Sequence, residues 1–129
     1  MNKIYYNKLI RDKIPEKIKS KGSTLKVIPL NEIDFEKELL KKVGEEASAL
    51  PIAKTKKELI SELADVLDVI DEIKKFKNIT QEEIIAVQKI NFEKKGGFDQ
   101  RLFLVWSSDD GYKTNETTYD QNNTKEINK

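Results

Sequence analysis

The spacing of apolar side chains along this chain is that of helices. Between Asn31 and Leu50, the positions Leu39, Val43, Glu46 and Leu50 recur at intervals of four, three and four, one stripe of a 3.6-residue period. Asn31 is placed to cap such a helix, and Asp34 lies in its first turn, where a negative charge suits the helix dipole. Gly44 weakens this helix by about 1 kcal/mol relative to alanine, and Pro51 closes it or opens the turn that follows. A second helix starts at Thr55, which forms a Thr-x-x-Glu capping box with Glu58. Its buried face carries Leu59, Leu63, Val66, Ile70 and Ile73; it runs to about Phe76, with Lys77 and Asn78 in the turn. Thr80 and Glu83 repeat the box ahead of a third helix bearing Ile84, Ile85, Val87, Ile90 and Phe92, which stops at Gly96-Gly97.

The flanks are less regular. Ile4 to Ile14 mixes apolar and basic residues, Pro15 suits the first turn of a short helix ending at Gly22, and Thr24 to Ile28 reads as a brief extended piece stopped by Pro29. Leu102-Phe103-Leu104-Val105-Trp106 is apolar enough to pack back on the helices, whereas 107–129 has almost nothing to bury and reads as a polar, disordered tail. Three capped helices with short turns predict an all-α fold, an antiparallel helical bundle with a short irregular or extended N-terminal segment. The domain is expected over 1–106. The stripes are long for three helices, which points to self-association to complete the core.

Composition narrows the chemistry. The 129 residues suit one domain with one core. Charged residues make up 36% of the chain, but the two signs nearly cancel at +1, so no general attraction to nucleic acid or membrane is expected. No 18-residue apolar run is present, which excludes a membrane-spanning helix, and the N-terminus lacks the apolar core of a signal peptide. With no cysteine and no histidine, thiol nucleophiles, Cys/His zinc sites and imidazole bases are unavailable. A cytoplasmic location fits that composition. Catalysis, if any, falls to carboxylates, lysines, arginines or a metal held by oxygen.

The carboxylates stand out by position. Glu46 lies inside the stripe of its helix, bracketed by Leu39 and Leu50, with Glu45 about 100° aside. Glu62 points the same way as Val66, Val69 and Ile73, and Asp65 follows three residues on, about 60° round. Antiparallel packing of the two helices brings Glu45, Glu46, Glu62 and Asp65 together. Charges so placed are expensive to bury without a cation. A hard divalent ion such as Mg²⁺ or Mn²⁺ would relieve them, and Mg²⁺ commonly shares its open positions with substrate phosphates. Neutralisation by nearby lysines, Lys41 and Lys42, is the competing explanation, and Asp68, Asp71 and Glu72 read as an ordinary solvated face.

Three segments carry a family resemblance: Tyr6-Asn7-Lys8-Leu9-Ile10-Arg11-Asp12-Lys13-Ile14-Pro15, the pair Glu45-Glu46 with Glu62-Leu63-Ala64-Asp65, and Gly96-Gly97-Phe98-Asp99-Gln100-Arg101. Together, over about residues 4–106, they resemble the all-α nucleoside triphosphate pyrophosphohydrolase superfamily of MazG-like proteins, in particular a phosphoribosyl-ATP pyrophosphohydrolase-like subgroup. The resemblance implies Mg²⁺-dependent hydrolysis of a nucleotide to a monophosphate and pyrophosphate. It implies Glu46, Glu62 and Asp65 as metal ligands, with Glu45 binding a second ion or orienting water. Lys8, Arg11 and Arg101 become candidates for substrate phosphates, with Lys13, Lys95 and Asn91 behind them. The family's third glutamate in the first motif falls at Ala49, so one ligand is missing. That departure supplies the alternative of a weakened or inactive relative that binds nucleotide or oligomerises.

Overall fold

Every regular element is an α-helix or a single 3-10 turn in the computed structural model, which describes residues 2–108. The helices are α1 (Ile14–Ser20), α2 (Glu32–Ala47), α3 (Lys56–Lys77) and α4 (Gln81–Lys95), with a 3-10 turn at Leu50–Ile52. No strand occurs among the described residues, and 24–28 has no regular structure. The expected tail lies outside the described residues from 109 onward. The chain divides into two units, 1–87 and 88–129.

The caps act much as their side chains dictate. The Asn31 Oδ1 accepts from the Asp34 N–H at 2.8 Å, and the Thr55 Oγ1 from the Glu58 N–H at 3.1 Å. The return half of the α3 box is shifted by one residue, because Glu58 accepts from the N–H of Lys54. At α4 the box is reciprocal: Thr80 Oγ1 accepts from the Glu83 N–H at 3.1 Å, and Glu83 accepts from the Thr80 N–H at 2.9 Å. Asn78 ends α3 in the left-handed conformation, and Gly96 follows α4 at φ +78°.

One boundary differs from the stripe. α2 ends at Ala47, not Leu50, because Pro51 has no N–H to donate to the Ala47 carbonyl and its ring would collide with it. Ser48 closes the helix, its hydroxyl donating to the Glu45 carbonyl at 2.6 Å.

In the first unit α2 and α3 pack antiparallel. The start of α2 meets the end of α3 through the Phe35–Phe76 edge-to-face pair, centroids 5.1 Å apart, and through Lys77 donating to Glu36 at 2.7 Å. Leu39 is the one buried side chain among the described residues, 4% exposed. Val43, Val66, Ile70, Ile73 and Phe76 are half-buried. Leu59 and Leu63, expected on the buried face of α3, are instead exposed, and with Ile60 and Leu67 they form an apolar strip about 100° wide that no described residue buries.

The second unit holds the end of α4 and the double glycine. A Cβ added at Gly97 would lie 3.2 Å from the exposed Phe92 ring, which would have to give by a few tenths of an ångström. Leu102 to Trp106 are exposed, against the expectation that they pack; without a helical or strand repeat their side chains share no common face.

Candidate metal centre

The end of α2 and the start of α3 place three carboxylates side by side. One oxygen from each of Glu46, Glu62 and Asp65 lies within 4.8 Å of the others, and all three residues are half-buried. The spacing read from the sequence therefore survives folding: Glu62 and Asp65 are one turn apart on α3, and Glu46 faces them because α2 runs antiparallel. The donor set is three hard oxygens, the chemistry that Mg²⁺ and Mn²⁺ prefer.

Glu45 stands beside this triad rather than in it. Its carboxylate meets Lys42 at 3.1 Å and Lys8 at 3.5 Å. Partial burial pushes the Glu45 carboxyl up, but the hydrogen bond and charge of Lys42 with the charge of Lys8 outweigh it and hold the group below its usual value.

Cations crowd one edge. Lys42, its side chain only 13% exposed, also reaches Glu46 at 3.5 Å, one helical turn on. Arg11 uses a single nitrogen, Nη2, to meet Asp65 at 3.1 Å and Asp68 at 2.9 Å. The hydrogen bond to Asp68 raises the Arg11 pKa most; desolvation opposes it, and the charges of Asp68, Asp65 and Glu46 add to it. Neutralisation by basic residues thus accounts for Glu46 and Asp65. Glu62 has no ion pair or hydrogen bond to a cation among the described residues.

The N-terminal segment supplies two of these cations. Asn7 turns the chain at φ +46°, a conformation asparagine tolerates, and Lys8 follows it over the Tyr6 ring. Between this segment and α2 runs an open groove of about 230 Å³, lined among others by Tyr6, Lys8, Leu9, Lys41, Lys42 and Glu45. Because Lys42 also touches Glu46, the groove adjoins the triad.

The remaining candidates divide. Lys13 is exposed at the start of α1 and makes no ion pair among the described residues. Asn91, Lys95 and Arg101 belong to the second unit, Lys95 as the last residue of α4 and Arg101 at φ +55°, its N–H donating to the Phe98 carbonyl. Ala49 lies beyond α2, ahead of the 3-10 turn, with its N–H on the Glu46 carbonyl at 3.2 Å. Asp68 is exposed, as expected of a solvated face, and is also a partner of Arg11. Its signal was the regular three-residue step Glu62–Asp65–Asp68 on α3.

No family model, curated protein or solved structure matches this chain.

Proposed function

We propose that this chain is a divalent-metal-dependent nucleotide pyrophosphohydrolase, with a nucleoside triphosphate or related nucleotide as substrate. The observation that carries the reading is the triad drawn from two antiparallel helices, in which Glu62 is left without a cation while Lys8, Lys42 and Arg11 stand at the rim. The motif resemblance supports the same assignment.

In this reading Glu46, Glu62 and Asp65 hold Mg²⁺ or Mn²⁺, which when bound polarises the phosphate chain and offsets its charge. Lys8 and Arg11 face the same site with complementary charge, Arg11 as a planar fork and Lys8 as a mobile point charge. Glu45, kept ionised by Lys42 and Lys8, orients the attacking water by accepting its hydrogen bond. Water adds to one phosphorus of a phosphoanhydride, the bridging P–O bond breaks, and a monophosphate and pyrophosphate leave. A cytoplasmic setting fits the cysteine-free chain. The test is purified protein with Mg²⁺ and a panel of nucleotides, followed for pyrophosphate. Release from at least one nucleotide is expected; none from any, with folded protein and bound metal, rejects the activity and favours a non-catalytic nucleotide-binding relative.

The same reading includes a helical bundle completed by a second copy of the chain. A single buried side chain is a small core, and the exposed row Leu59, Ile60, Leu63 and Leu67 on α3 amounts to a patch on the order of 400 Å², the size of the largest patch on a typical monomer. A standard interface covers roughly 800 Å² per partner, so this row supplies about half of one. Sedimentation should give a dimer or larger, and Leu63→Asp should shift it toward monomer; a wild-type monomer at micromolar concentration overturns this part alone.

A further inference from the structure

Asp65 is claimed twice. It belongs to the carboxylate triad, and it also pairs with Arg11 at 3.1 Å. A cation held by Glu46, Glu62 and Asp65 therefore competes with Arg11 for that carboxylate. Asp68 is outside the triad, lies one helical turn further along α3, and holds the same Arg11 nitrogen at 2.9 Å. It is the anchor that remains when Asp65 turns to a metal.

The way Arg11 is held matters. Both carboxylates take Nη2. No described residue engages Nη1 or Nε, so most of the fork's five donors stay open. Arg11 also sits in the segment from Tyr6 to Lys13, which has no helix or strand of its own to fix it. An arginine on such a chain needs a second attachment if it is to meet a ligand at a defined place. The second attachment is also what keeps a long, half-solvated side chain from spending its freedom on binding.

We propose that Asp68 is a positioning residue: it holds Arg11 by one nitrogen beside the triad so that the open donors of the guanidinium receive a phosphate of the metal-bound substrate. The inference rests on the pyrophosphohydrolase reading, since it takes the ligand to be a phosphate chain. It adds a carboxylate that touches neither metal nor substrate yet governs phosphate affinity. Asp68 acts through Arg11, and losing either should have nearly the same effect.

The experiment measures calorimetric binding of Mn²⁺ alone, then of methylenediphosphonate in saturating Mn²⁺, a probe with the charge of pyrophosphate that is not hydrolysed. Asp68→Asn should bind Mn²⁺ within about threefold of wild type and methylenediphosphonate about tenfold more weakly, the scale of one lost charge-assisted hydrogen bond. Asp68→Glu should recover at least half of that loss. Arg11→Gln should match Asp68→Asn, and the double variant should be no weaker than Arg11→Gln alone, because the two residues form one unit. Undiminished diphosphonate binding by Asp68→Asn, or additive losses in the double variant, overturns the proposal while leaving the metal site intact. Absence of Mn²⁺ binding in wild type instead removes the functional reading, and this inference with it.

Discussion

Replacing Glu62 by glutamine should stabilise the protein without metal and destabilise it relative to wild type with metal. The substitution keeps the shape of the side chain and removes one charge that no described cation offsets. In water, two unit charges 4.8 Å apart repel by roughly 0.9 kcal/mol. Glu62 takes part in two of the three pairs in the triad. Lys42 and Arg11 already neutralise much of the other two carboxylates, and salt screens the rest. The relief is therefore about 1 kcal/mol, equivalent to about 4 °C in melting temperature for a domain of this size. With metal the order reverses. At a free ion concentration a hundred times its Kd, wild type gains about 2.7 kcal/mol. A variant whose affinity falls by roughly a hundredfold gains only about 0.4 kcal/mol, so wild type overtakes it by more than 1 kcal/mol. Circular dichroism melts in chelator and in Mg²⁺ measure both halves. If Glu62→Gln melts below wild type in chelator and metal shifts the two proteins equally, Glu62 is an ordinary surface carboxylate and the reasoning fails.

Further outcomes follow from individual contacts. Leu39→Ala should cost about 2–4 kcal/mol in denaturant unfolding, because the one buried side chain is truncated where its half-buried neighbours can only partly close the gap. Glu83 has its pKa lowered by hydrogen bonds from the Thr80 N–H and hydroxyl. Its contribution is thus present above the unfolded carboxylate value of 4.5 and lost as pH falls through the lower folded value, so Glu83→Gln should show a smaller drop in melting temperature between pH 7 and pH 3 than wild type. Ala49→Glu adds an oxygen donor close to Glu46 and should tighten Mn²⁺ binding several-fold; an unchanged affinity would mean that the residue beyond the end of α2 does not reach the site.

The helices were legible because their punctuation is chemical and local. Thr80 and Glu83 name a capping box, and Asn78 and Gly96 supply the left-handed residues that end helices. The stripe through Leu50 overran α2, since periodicity registers side chains but not the N–H that Pro51 lacks. Glu46, Glu62 and Asp65 were legible as a group because a carboxylate in an apolar row is costly wherever the row packs. Their ionic partners were legible only in part. Lys42 reaches Glu46 along its own helix, so spacing could suggest it, and it was weighed as a neutraliser. Arg11 meets Asp65 and Asp68 across 54 and 57 positions of chain, and no local pattern encodes where an irregular N-terminal segment crosses a helix. Glu45 stands about 100° round the helix from Glu46, a step legible in the sequence, and that step hands it to Lys42 and Lys8.

The central claim is that two helices of this chain present one divalent-metal site. Titrating Mn²⁺ into wild type, Glu46→Gln and Asp65→Asn, with the free ion followed by electron paramagnetic resonance, tests it most directly. One site per chain in wild type, with affinity lowered at least tenfold in each folded variant, is the predicted result. No bound Mn²⁺ in wild type, or binding that neither substitution weakens, contradicts it.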